Sequence, residues 1–100
     1  MSTQNMLTSS AEPLSFRLWT AAWCGPCRVV KPQIASYAEG RGIKLDVLDV
    51  DTQGDAADAA AVRTVPTLDI LAADGTLLAR HIGAAKMADW LNTWTADHTG

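Results

Sequence analysis

The spacing of hydrophobic and polar positions along the chain predicts seven secondary-structure elements. Val30, Ile34, Tyr37 and Ala38 recur at the interval that places side chains on one face of a helix. Runs rich in Leu, Val, Ile, Phe and Trp, separated by turn residues, predict strands. The predicted strands cover residues 14–21, 44–50, 67–72 and 76–82, and the predicted helices cover residues 26–39, 55–62 and 85–96.

The order of these elements, βαβαββα, limits how the sheet can be arranged. Two strands joined by a helix pair in parallel through a right-handed crossover, so the first two strands should be parallel neighbours. Asp74-Gly75 lies between the last two strands and is a strong signal for an antiparallel hairpin. We therefore predict the α/β fold class, a βαβαββα sandwich with a central mixed sheet flanked by helices. Residues 1–13 are polar and aperiodic, so we expect an N-terminal arm there and one domain over residues 14–100.

Composition and charge exclude several classes of protein. With 100 residues, 48% of them hydrophobic, the chain is large enough for one core and one domain. A formal net charge of −3 without a run of Lys or Arg makes nucleic acid and anionic membrane surfaces poor partners. No apolar stretch is long enough to span a bilayer, and residues 1–13 lack the features of a secretory signal. We therefore expect a cytoplasmic protein.

Cys24 and Cys27 are the only cysteines, and they fall where the first predicted strand gives way to the first helix. A helix N-terminus carries unpaired N–H groups and partial positive charge, so the Cys24 thiolate should form at lower pH than a free cysteine, whose pKa is ~8.5. Residues three apart on a helical turn face each other, which lets Cys27 attack a mixed disulfide on Cys24. Pro26 lacks an N–H that the first turn would leave unpaired anyway. The pattern predicts a redox pair with Cys24 as nucleophile and Cys27 as resolving thiol.

Two other roles for the cysteines, a structural disulfide and half of a zinc site, fit the sequence less well. A bridge over two intervening residues closes a very small loop and removes little entropy from the unfolded chain. A zinc site needs two more ligands, and His81 and His98 lack the spacing of a ligand pair. We expect both histidines at the surface and no metal site.

Three features of the chain resemble the thioredoxin family over about residues 14–97. They are the order of elements, the sequence Trp23-Cys24-Gly25-Pro26-Cys27 and the sequence Val65-Pro66-Thr67. The resemblance implies that Pro66 is a cis-proline facing the cysteines and that the backbone of Val65 pairs with the extended peptide of a target. It also implies that Gly83 borders the substrate groove.

The same resemblance implies a protein disulfide reductase that cycles between the Cys24–Cys27 dithiol and disulfide. Trp23, Gly25 and Pro26 would complete its active-site loop, with Trp23 as a partly exposed flank of the substrate surface. The partners implied are disulfide-containing target proteins and an NADPH-dependent thioredoxin reductase. We expect a monomer with no cofactor besides the redox-active disulfide. The alternative is a thioredoxin-like module that docks on a partner enzyme and whose cysteines are incidental.

Two positions depart from the family pattern. Leu18 stands where the family usually buries an aspartate under the second cysteine, and Val47 stands where a lysine commonly neighbours it. Apolar burial there should be worth ~1.5–3 kcal/mol for each side chain, but no carboxylate remains to take the proton from Cys27. We therefore expect a stable domain with slow resolution of the mixed disulfide. Fewer residues than usual precede Cys24, which implies a shortened or absent N-terminal strand and helix and a four-stranded sheet.

Arg17 lies in the first predicted strand, on the opposite face from Phe16 and Leu18. An unpaired guanidinium is costly to bury, so the face that carries Arg17 should be partly open. Asp46, in the neighbouring strand, should lie at the same level and pair with Arg17.

Overall fold

The elements follow one another in the predicted order βαβαββα. The computed structural model describes residues 14–99, so the predicted arm at residues 1–13 lies outside the described part of the chain. The elements are β1 (Ser15–Thr20), α1 (Gly25–Arg41), β2 (Lys44–Asp49), α2 (Gly54–Ala59), β3 (Thr67–Leu71), β4 (Leu77–Ile82) and α3 (Met87–Thr99). No helix within residues 14–99 is long and apolar enough to cross a membrane.

The four strands of residues 14–99 form one mixed sheet in the order β2-β1-β3-β4. β1 pairs in parallel with β2 and antiparallel with β3, which places β1 inside the sheet. β3 and β4 are antiparallel, with Gly75 in the left-handed region at φ +89° and the Ala72 N–H 2.8 Å from the Thr76 carbonyl. The predicted parallel pair and the predicted hairpin are both confirmed.

Helix α1 carries the predicted apolar stripe. Val30, Ile34 and Ala38 are buried, and Tyr37 packs against the same core. The helix ends at Arg41, and Gly42 adopts φ +67° and caps the last turn. A residue without Cβ takes this left-handed conformation at little cost, which explains why the helix stops there.

At two of the helix boundaries that were predicted wrongly, a non-glycine residue with positive φ is the reason. The short Ala-rich helix α2 ends at Ala59 instead of Val62, because Ala61 adopts φ +58°. Helix α3 begins at Met87 instead of Ala85, since Lys86 adopts φ +60°. A right-handed helix cannot continue through such a residue.

The sheet has a core on each of its faces. The larger core includes Phe16 and Leu18 of β1, fully buried with side chains of α1 and α3, among them Met87 and Leu91. Trp90 and Trp94, an aromatic pair one turn apart on α3, are partly buried against this core. The smaller core, on the other face, is built from Trp19, Ala57 and Val62, with Leu48, Val50, Ala60 and Val65 packed around them.

Arg17 lies opposite Asp46 in the β1–β2 register, as predicted, and is half-buried. The predicted ion pair between these two residues is wrong, because the partner of Asp46 within the described chain is Lys44, with Nζ 3.9 Å from Oδ2. Lys44 lies two residues before Asp46 on the same strand, so both side chains project from the same face and meet at the sheet edge.

Candidate active site

The chain turns sharply between β1 and α1, and this turn places Cys24 at the N-cap of the helix. The Cys24 N–H donates to the Ala21 carbonyl at 3.0 Å, which closes the turn. Gly25 and Pro26 are the first helical residues, and the Cys27 N–H donates to the Cys24 Sγ at 3.2 Å. The sulfur of Cys24 therefore occupies the position where a helix N-terminus stabilises negative charge.

Cys24 and Cys27 form a disulfide, with their Cα atoms 5.3 Å apart. Both residues are buried, and their neighbours are the apolar side chains of Ala21, Val50 and Val65. Trp23, Gly25 and Pro26 on either side of Cys24 are exposed, so the disulfide lies directly beneath an accessible loop.

Three residues implied by the family resemblance lie together beside the disulfide. The Val65–Pro66 peptide bond is cis, and the Val65 side chain packs against the cluster of Cys24 and Cys27. Gly83 follows β4, adopts φ +91° and donates its N–H to the Pro66 carbonyl at 2.8 Å. The end of β4 and the start of β3 are thus joined at the edge of the site. The implied roles of these residues toward a target remain predictions.

Trp23 is the most exposed large side chain of the site, at 69% of its full surface, in agreement with the predicted exposure. Its indole Nε1 donates to Asp51 Oδ2 at 2.9 Å, so the ring is held by the loop after β2. A recess of about 360 Å³ lies beside the ring and is lined by Trp23, Val50, Val62, Arg63, Thr64 and Val65. Asp51 was not predicted as a site residue, since nothing in the sequence relates it to a tryptophan far along the chain.

Ile82 is a second site residue that the sequence analysis missed. It ends β4 directly before Gly83 and is 62% exposed, although isoleucine is usually buried. In the β3–β4 register it lies opposite Thr67, the residue after Pro66. The sequence signal that could have identified Ile82 is an apolar residue at the end of a predicted strand, directly before a glycine. Trp23 and Ile82 are thus exposed apolar side chains close to the two segments that frame the disulfide.

The two positions that depart from the family pattern differ in their surroundings. Leu18 is completely buried in the larger core, which confirms the predicted apolar burial at this position. Val47 is 39% exposed on the edge strand β2, so the predicted burial of its side chain is wrong. At the edge of the sheet, the faces of β2 are covered less completely than those of the central strand β1, which explains the exposure.

The two histidines lie away from the disulfide. His81 is half-buried, with its ring centroid 5.2 Å from that of Trp90, and His98 is exposed and stacks on Trp94 at 4.0 Å. Their ring nitrogens lie 2.8 Å from the carbonyl oxygens of Ala85 and Trp94, respectively. Within residues 14–99, no three His, Cys, Asp or Glu side chains form a group that could hold a metal ion.

Comparisons with known proteins agree with this geometry. The family model "Thioredoxin" matches residues 5–96. A thioredoxin from Mycobacterium bovis is 42% identical over 82 residues, which cover 80% of this chain and 69% of the relative. A bifunctional thioredoxin reductase/thioredoxin from Mycobacterium leprae is 38% identical over 82 residues, covering 80% of this chain and 18% of that protein.

The fold of this chain is also similar to that of solved thioredoxin structures. A thioredoxin structure from Halobacterium salinarum superposes with a TM-score of 0.78 at 30% identity, covering 92% of this chain and 80% of the other. The predicted fold class and the predicted use of the cysteine pair are therefore both confirmed. The chain belongs to the thioredoxin family and is a protein thiol–disulfide oxidoreductase with Cys24 and Cys27 as its redox pair.

Proposed function

We propose that the protein is a monomeric cytoplasmic electron carrier that reduces disulfides of other proteins and is recharged by an NADPH-dependent thioredoxin reductase. The observation that carries this proposal is the position of Cys24 at the helix N-cap, with the Cys27 N–H directed at its sulfur. This position favours the Cys24 thiolate, the nucleophile that the reaction requires.

The reaction proceeds in two exchanges. The Cys24 thiolate attacks one sulfur of the target disulfide, forms a mixed disulfide and releases the other target sulfur as a thiolate. Cys27 then loses its proton and attacks the Cys24 sulfur, which forms the Cys24–Cys27 disulfide and releases the second target sulfur. Two electrons pass to the target, and the reductase returns two electrons from NADPH to the protein.

The residues that surround the disulfide bind the target. The backbone of Val65, beside cis-Pro66, pairs with an extended stretch of the target, and Gly83 leaves room for that stretch. The exposed side chains of Trp23 and Ile82 add apolar contact on either side. Since one chain carries all of these groups, no second copy is needed to complete the site.

Recharging by a reductase is supported by one relative, whose name joins a thioredoxin reductase and a thioredoxin in one protein. The cytoplasm is the compartment in which such a dithiol is kept reduced. The absence of a run of Lys or Arg agrees with protein partners in preference to nucleic acid or anionic membranes.

Insulin reduction, coupled to NADPH oxidation through a thioredoxin reductase, tests the proposal. The wild-type protein should support turnover, and Cys24→Ser should abolish it. Cys27→Ser should accumulate a mixed disulfide with insulin, because the second exchange is blocked. A correctly folded, oxidised protein that consumes no NADPH with any of several reductases would contradict recharging by this route and would favour a docking module.

A further inference from the structure

The second exchange requires Cys27 to lose a proton, although its surroundings offer no obvious acceptor. Cys27 is 3% exposed, and its neighbours in the cluster around the disulfide are Ala21, Val50 and Val65. Leu18 is fully buried in the larger core and cannot take up a proton. The group that accepts the proton must therefore approach Cys27 from a side that these apolar residues do not cover.

A cavity of about 240 Å³ next to Cys27 has polar residues in its lining and provides such an approach. It is lined by Thr20, Ala21, Ala22, Cys27, Arg28, Lys31 and Asp49. This volume has room for several water molecules, and the lining supplies the polar partners that such waters need. Cys27 and Asp49, the last residue of β2, thus line the same cavity.

Asp49 is the acidic residue in the lining of this cavity, and hydrogen bonds hold its side chain in place. It is the last residue of β2 and is half-buried. Its Oδ1 accepts the N–H groups of Asp51 at 2.8 Å and Thr52 at 3.3 Å, so the side chain is held by the turn that follows the strand. A carboxylate held in place at a cavity large enough to admit water is suited to general base catalysis through one or more waters.

We propose that Asp49 accepts, through water in this cavity, the proton that Cys27 loses when it attacks the mixed disulfide. The electron pair left on the Cys27 sulfur forms the bond to the Cys24 sulfur. The bond between Cys24 and the target sulfur breaks, and the target leaves as a thiolate. Asp49 later returns the proton to solvent. This inference rests on the two-exchange cycle proposed above.

The charged groups around the cavity act on Cys27 in opposite directions. Arg28 and Lys31, from the same helix as Cys27, favour its thiolate, whereas the negative charge of Asp49 opposes it. The Arg28 guanidinium is held at the Ala22 carbonyl, 3.1 Å away. Removing the Asp49 charge would therefore accelerate the second exchange if Asp49 acted by charge alone. A role as proton acceptor predicts the opposite result.

Rapid mixing of the reduced full chain with the aromatic disulfide DTNB separates the two exchanges. The first TNB anion is released when Cys24 attacks, and the second is released when Cys27 attacks the mixed disulfide. Asp49→Asn keeps an oxygen for the Asp51 and Thr52 N–H groups but removes the base. We expect the second phase to slow about tenfold or more near neutral pH, with the first phase unchanged. Asp49→Glu should recover most of the rate.

Two further variants complete the test. Asp55→Asn removes the same charge from an exposed position in the first turn of α2 and should leave both phases unchanged. Thr20→Leu fills the cavity while keeping Asp49, so the second phase should slow here too. This variant also tests the inference if Asp49→Asn does not fold. A second phase that is unchanged or faster in Asp49→Asn, or unaffected by Thr20→Leu, overturns the role of Asp49.

The wild-type protein distinguishes failure of this inference from failure of the cycle. If wild type releases both TNB anions and reduces insulin while Asp49→Asn matches it, the cycle stands and Asp49 is not the acceptor. If wild type releases only the first TNB anion, the two-exchange cycle is wrong, and the role of Asp49 is wrong with it.

Discussion

Arg80 and the buried Asp69 form an ion pair across β3 and β4, with Arg80 Nε 2.6 Å from Asp69 Oδ1 and Nη2 2.9 Å from Oδ2. The Asp69 side chain is 2% exposed and also accepts the Trp19 Nε1–H at 3.0 Å. The same Arg80 Nη2 donates to the Ala60 carbonyl at 2.9 Å. Arg80 therefore ties the end of α2, and the segment that leads from it to Pro66, to the sheet.

Arg80→Met should destabilise the protein strongly, because within residues 14–99 it leaves the buried Asp69 carboxylate with the Trp19 indole as its one side-chain partner. Loss of one partner from such a pair typically costs about 3–5 kcal/mol, to be measured as the free energy of unfolding in urea. Lys44→Met breaks the exposed pair with Asp46 and serves as the control, with an expected cost of at most about 1 kcal/mol. Equal losses in the two variants would contradict the importance of the buried pair.

Asp74 provides a pH-dependent contribution to stability. Hydrogen bonds from the Thr76 side chain and N–H hold its pKa below the ordinary value of 3.8, and the Thr76 N lies 2.9 Å from Asp74 Oδ1. Because the folded pKa is lowered, this contribution is present above pH 3.8 and is lost as the pH falls through the lower folded value. An NMR titration of Asp74 should give a midpoint below 3.8, and Thr76→Val should raise it. A midpoint that does not move in Thr76→Val would show that the Thr76 hydroxyl is unimportant.

Most of the fold could be predicted because short stretches of sequence specify its helices and turns. The stripe of Val30, Ile34 and Ala38, and the Asp74-Gly75 turn, each lie within a few residues of the structure they specify. The errors arose where the backbone follows tertiary contacts. Ala61 and Lys86 adopt positive φ without being glycine or asparagine, so their sequence gives no warning that a helix stops or starts there.

The residues of the active site likewise fall into those that the local sequence predicts and those that only the folded sheet brings together. Cys24 and Cys27 could be predicted from the residues because their chemistry depends on one strand-to-helix turn. Pro66 required the family resemblance, since it approaches the cysteines only in the folded sheet. Ile82 and Asp49 were missed because the sheet, and not the sequence, brings β4 and the end of β2 to the disulfide.

Gly83→Val should impair target binding more than the chemistry of the cysteines. The residue adopts φ +91°, which a β-branched side chain tolerates poorly, so a cost of about 1–2 kcal/mol in stability is expected. Apart from its two chain neighbours, no atom of the described residues lies within 4 Å of a Cβ placed at Gly83, so the new side chain would project into the space proposed for the target. The KM for insulin should rise, while the rate with the small disulfide DTNB should change little. Equal effects on both substrates would argue against a role for Gly83 in binding protein targets.

Leu18→Asp tests the trade between stability and proton transfer in the core beneath the active site. Leu18 is completely buried among Val30, Ile34 and other apolar side chains. A carboxyl group there would lose its hydration without an arranged partner, so the free energy of unfolding should fall by about 3 kcal/mol or more and the melting temperature with it. Leu18→Asn, which also places a polar group there but no base, is the matched control for stability.

The same substitution should speed insulin reduction near neutral pH, because it supplies a second proton acceptor for Cys27. If Asp49 already fills that role, the gain should be small in the wild-type background and larger when Leu18→Asp is combined with Asp49→Asn. Leu18→Asn should give no gain in either background, since an amide accepts no proton at these pH values. A Leu18→Asp protein that melts higher than wild type, or that reduces insulin no faster between pH 6 and about pH 9 in the Asp49→Asn background, would contradict the proposed trade.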